Sequence, residues 1–83
     1  MNGRRIYPNA EGYLNFEPGD YGQDKAGGWW CMTPQTIAGR FAGSLIDHTI
    51  VEHEDGTITV TPSILDPRPG GYHGYLTNGV WNS

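Results

Sequence analysis

Eighty-three residues are enough for one small domain, and 13 Gly with 6 Pro make 19 of those positions backbone punctuators. Leu, Ile, Val and Phe together number 15, fewer than the roughly one-fifth share that marks a chain able to build an aliphatic core, so the 3 Trp, 5 Tyr and 2 Phe have to supply the bulk. The net charge of −4, from 9 acids and 5 scattered bases, excludes the basic face that double-stranded nucleic acid requires, and no apolar run approaches the ~18 residues of a membrane span.

Residues 1 to 27 hold Pro8, Pro18 and five glycines between Tyr7, Tyr13, Leu14, Phe16 and Tyr21. No helical period survives such punctuation, so this segment is expected as an extended N-terminal arm, lying on its own domain or clasping a neighbouring subunit. The opening Met-Asn-Gly-Arg-Arg-Ile-Tyr-Pro lacks the apolar stretch of a signal peptide, so an intracellular protein is expected. Residues 28 to 83 are expected as a small β domain. Trp29-Trp30-Cys31-Met32 reads as an aromatic strand entered through two glycines and closed by Pro34. Alternation puts Trp29 and Cys31 on one face and Trp30 and Met32 on the other, so one Trp should be core and its neighbour should not.

From 35 to 46 the four-residue spacing of Ile37, Phe41 and Leu45 resembles a helix, but Gly39 and Gly43 interrupt it, predicting mostly loop with room for a helical turn. Asp55-Gly56, set between Thr49-Ile50-Val51 and Thr57-Ile58-Thr59-Val60, predicts a hairpin with a two-residue type I′ turn. That turn pairs Val51 with Val60 and His53 with Ile58, and Pro62 is expected to end the ladder. Asn78-Gly79 predicts a second hairpin of the same type, with Thr77 opposite Val80 and Leu76 opposite Trp81. Two hairpins and an aromatic strand make an all-β fold, a small antiparallel sheet or barrel-like domain. So small a core, with a single Cys31 and hence no internal disulfide, favours a homo-oligomer.

Little in the sequence points to catalysis. Asp47, His48, Glu52, His53, Glu54 and Asp55 are the densest polar cluster, but the two histidines are five apart and face opposite sides of a strand, so no metal ligand set and no cofactor is assigned. Cys31 sits between Trp30 and Met32, surroundings that raise a thiol pKa and blunt its reactivity. Ser44, Ser63 and Ser83 lack a nucleophile-elbow context, and no phosphate-binding glycine loop occurs. A binding repertoire remains: Trp29, Trp30, Tyr72, Tyr75 and Trp81 for stacking, with Arg40, Arg68 and His73 beside them. Such rings and cations suit a small nucleotide or a protein interface equally.

The stretch from Gly28 to Pro34, the segment Asp55-Gly56-Thr57-Ile58-Thr59-Val60-Thr61-Pro62-Ser63-Ile64, and the closing His73-Gly74-Tyr75-Leu76-Thr77-Asn78-Gly79-Val80-Trp81 resemble a family of small uncharacterised proteins of bacteriophages and prophages. The likeness spans residues 28 to 81 and implies a β fold and a phage context, without an activity to transfer. It leads to the expectation of a non-catalytic accessory protein in the host cytoplasm. That protein would be an anti-defence type of homo-oligomer binding a host protein or small nucleotide-like signal. The second expectation is a virion protein, decorating capsid or tail, whose arm laces neighbouring phage subunits.

Overall fold

The computed structural model describes every residue except Gln35 and Thr36. Its elements are β1 (Arg4–Ile6), β2 (Asp20–Gln23), β3 (Trp29–Met32), β4 (Ala42–Ser44), β5 (Thr49–Glu52), β6 (Ile58–Leu65), β7 (His73–Thr77) and β8 (Val80–Asn82), with no helix among the described residues. They form two four-stranded sheets, ordered β1-β2-β3-β4 and β5-β6-β7-β8. All neighbouring strands are antiparallel except β1 and β2. The fold is therefore all-β, as two separate sheets rather than a closed barrel. The core draws on both: Tyr21 and Cys31 from the first, Ile58, Val60, Ile64, Leu76 and Trp81 from the second, with Leu45 and Tyr72 from the connections.

The segment expected as an arm is part of the fold, and the boundary placed after residue 27 divides nothing. It supplies β1, β2 and Tyr21, one of the most completely buried side chains. Residues 1–3 run beside β8, where Asn2 bridges Val80, the Gly3 amide donates to Gly79 O at 2.7 Å and the Trp81 amide to Met1 O at 2.8 Å. The chain then pairs with β2 as β1. The first six residues thus border both sheets. Such closeness needs a missing side chain at Gly3, where a Cβ would come within 2.8 Å of Gly19 O and 2.9 Å of Trp81 Nε1.

Both hairpins form, but one has a different register from the expected one. Asn78 and Gly79 both take positive φ, 48° and 77°, and the type I′ turn pairs Thr77 with Val80 and Leu76 with Trp81 as read from the sequence. In the first hairpin only Gly56 is left-handed, at φ 86°. Gly56 N donates to His53 O and His53 N to Thr57 O, so the loop has three residues ending in a glycine bulge. Pairing is consequently Ile50 with Val60 and Val51 with Thr59, one residue away from expectation, which turns Val51 out to solvent. The cause is the Asp55 carboxylate: Oδ1 accepts from Thr57 N at 3.0 Å and from Thr57 Oγ1 at 2.6 Å, holding Asp55 in an Asx turn.

Two further expectations give way. Pro62 does not end its ladder; β6 continues to Leu65, and the proline, joined to Thr61 by a cis peptide bond, lies where the register to β7 shifts between Val60 and Ile64. A residue without an N–H is tolerated at such an irregularity. In the stretch 35–46 the described residues form β4 and no helical turn, while Gln35 and Thr36 lie outside the described residues. A spacing of four is also an even number, so Phe41, Gly43 and Leu45 fit one face of a strand as well as a helix. The edge of β3 gives that strand its hydrogen bonds, with Trp30 opposite Ser44 and Cys31 opposite Gly43.

Candidate functional site

The structure disperses the sequence-predicted binding residues. Trp81 is 2% exposed; its Nε1 donates to Gly19 O at 2.9 Å, and its ring meets Tyr72 edge-on, with centroids 5.6 Å apart. These two rings are core and are corrected from ligand-stacking surfaces to packing. Tyr75 and His73 point outward from β7. Trp29 lies under the Arg5 guanidinium, 4.8 Å from its ring centroid, and Tyr7 receives the same cation at 4.6 Å.

The four arginines are paired too. Arg40 reaches Glu17 at 2.9 Å, and Arg68 is held by Asp66 at 2.6 Å beside the Phe41 ring. Arg4 pairs with Asp20 and Arg5 with Glu52, each at 2.7 Å. Every arginine in the chain is therefore neutralised by a carboxylate. Arg5 and Arg68 are largely covered in these pairs, whereas Arg4 and Arg40 stay mostly exposed.

Of the sequence-predicted residues, Trp29 and Trp30 line a common cleft. It has a volume of about 380 Å³ and lies between the β2–β3 turn, these two rings, Ile46 of the β4–β5 connection and Ile50 of β5. Asp24 builds the turn side. Its Oδ1 accepts from Ala26 N at 2.9 Å and Gly28 N at 2.8 Å, and its Oδ2 from Trp30 Nε1 at 2.9 Å. Gly27, at φ 92°, closes the turn. The indole bond first, then the Gly28 amide, hold this carboxyl below its usual value, so it is ionised at neutral pH. Across the cleft Ile46 is 85% exposed, the most exposed large apolar side chain among the described residues. Sequence reasoning missed both Asp24 and Ile46. The Asp-x-x-x-Gly-Trp spacing is a turn signal that says nothing of the indole, and Ile46 stands in a connection where no period marks it.

His48 stands between this cleft and a second of about 220 Å³ that runs toward Phe41, Ile64 and Pro67. Its Nε2 lies 3.0 Å from Ser63 O, so Nε2 carries a proton, while Nδ1 is buried with no partner among the described residues. Cys31 reaches the second cleft, but burial pushes its thiol up to about 12, which leaves it inert as a nucleophile.

Ser63 Oγ and His73 Nε2 are 2.9 Å apart, and Thr59 Oγ1 and His53 Nε2 are 2.7 Å apart, two arrangements resembling a nucleophile and its base. None of these four residues lines either cleft, and among the described residues no group orients the other nitrogen of either ring, which nucleophilic catalysis requires. No three His, Cys, Asp or Glu side chains converge as metal ligands among the described residues, and no helix is long and apolar enough to cross a membrane. No protein family, curated protein or solved structure matches the chain.

Proposed function

We propose that this protein is a non-catalytic accessory binding module that engages a partner protein through the Trp30 cleft. The carrying observation is Ile46, 85% exposed at the rim of a cleft floored by two tryptophans. An exposed apolar anchor beside partly buried rings is the composition of an interface centre. The resemblance to small phage proteins makes the partner a host or phage protein met in the host cytoplasm, with anti-defence binding as the role.

Two other readings lose support. A nucleotide-like signal needs open rings and available cations, whereas Tyr72 and Trp81 are core and the arginines are paired. A virion role rested on a lacing arm, and residues 1–27 supply two strands of their own chain's sheet.

The test is expression of the tagged chain in a bacterial host beside the variant Ile46→Asp. One protein should co-purify at fixed ratio with the parent chain and be absent from the variant, with identical circular dichroism. Retention by Ile46→Asp removes the cleft from the contact. A rise in Tm with a nucleotide panel would restore the signal-binding reading, and fixed stoichiometry in purified particles would restore the virion one.

A further inference from the structure

We propose that the partner contributes an extended, lysine- or arginine-bearing segment that adds to the outer edge of β5 as a fifth strand of the second sheet and places one basic side chain in the Trp30 cleft. This rests on the reading of the cleft as a partner-binding site and names what occupies it.

The edge carries the first part. His53 N donates to Thr57 O, and with Val51 opposite Thr59 and Thr49 opposite Thr61 the antiparallel alternation directs the N–H and C=O groups of Thr49, Val51 and His53 toward β6. Those of Ile50 and Glu52 point away from the sheet. Among the described residues no hydrogen bond satisfies them. Natural edges are protected by lysine, proline, a bulge or a covering segment. The opposite edge, β8, is covered by residues 1–3. Thr49-Ile50-Val51-Glu52 is short and carries Glu52, and its hairpin ends in the Gly56 bulge, but it holds no lysine or proline and no strand pairs along its outer side among the described residues.

Charge selects the occupant. Asp47, Glu52, Glu54 and Asp55 lie within and beside β5, and Asp24 lies across the cleft. Against these five carboxylates stand only Arg5, already on Glu52, and Lys25. A second copy of the chain would bring the same carboxylates together, whereas a basic strand complements them. Ile50 is half-buried on the cleft side, so the residue of the added strand opposite it shares that face. An ammonium or guanidinium there meets the Trp30 ring and the Asp24 carboxylate, a cation–π and ionic pairing in one site.

The probe is a short fluorescent peptide alternating lysine with valine, titrated into the full chain by anisotropy, with a glutamate–valine peptide as control. The lysine peptide should bind, more tightly at low salt, and the glutamate peptide should not. The Asp47→Lys, Glu54→Lys double variant, altering two exposed side chains, should weaken binding about tenfold with an unchanged circular dichroism spectrum. In the complex, hydrogen exchange at the Ile50 and Glu52 amides should slow about tenfold or more. Equal binding of both peptides, or binding without slowed exchange at those two amides, overturns strand addition. So does slowing that rises with protein concentration alone, which would mean self-pairing. If the lysine peptide fails while Ile46→Asp still loses a co-purifying protein, strand addition falls and the partner-binding reading stands; loss of neither leaves both wrong.

Discussion

Trp81 combines two roles that a smaller residue cannot. Its ring packs edge-on against Tyr72, and its N–H reaches the Gly19 carbonyl, which also takes the Arg4 amide at 3.3 Å. Trp81→Phe keeps a ring but removes the shorter of those two bonds and leaves a void, so it should cost about 1–3 kcal/mol, read as a lower urea midpoint with the same slope. None of this was legible in the sequence, because Gly19 is 62 positions away and no local pattern joins them. The arginines failed to be legible for the same reason. Arg4, Arg5 and Arg40 find their carboxylates across 16, 47 and 23 positions respectively, and only Arg68, two residues from Asp66, had its partner in view.

At the scale of elements, turn chemistry decided what could be read. Asn78-Gly79 offered two residues that tolerate positive φ and nothing nearby to compete, so the sequence carried turn, register and facing pairs together. Asp55-Gly56 looked equivalent, yet Thr57 follows it and captures the aspartate side chain, which favours a three-residue loop and moves the register by one. Gly56 alone bears the left-handed conformation there. Gly56→Ala should therefore destabilise the protein by about 1–2 kcal/mol and Gly56→Asn by less, as thermal unfolding of the two variants would report. The strand β4 was hidden by a spacing common to helix and strand, and Pro62 concealed that β6 runs on past it.

For the whole molecule, the all-β class was visible in hairpin signals and β-branched runs, but the division into two sheets was not, because it depends on where residues 1–6 go. Those residues border both sheets through backbone bonds, and the one side-chain requirement, the bare Gly3, carries no signal of which strand it will meet. Ionisation is also a property of the whole. Asp24, Asp55 and Asp66 sit in three different connections, and hydrogen bonds from Trp30, Thr57 and Arg68 respectively are the leading cause that holds each below its ordinary 3.8. A carboxyl lowered on folding contributes stability above its unfolded value, and that contribution is lost as pH falls through the folded one. The urea midpoint should therefore stay level from neutral pH to about 4 and fall below that. A midpoint that rose on acidification would contradict these three assignments.

The pairing of residues 1–3 with β8 sets a condition on birth as well as on stability. During synthesis the first strand leaves the ribosome long before the Val80 and Trp81 backbone that it will meet. Until the last hairpin emerges, the second sheet lacks its border and Tyr21 lacks the wall that buries it. The two sheets are thus completed together rather than piece by piece, and a nascent form still lacking β7 and β8 exposes its rings to whatever chaperone or partner is near.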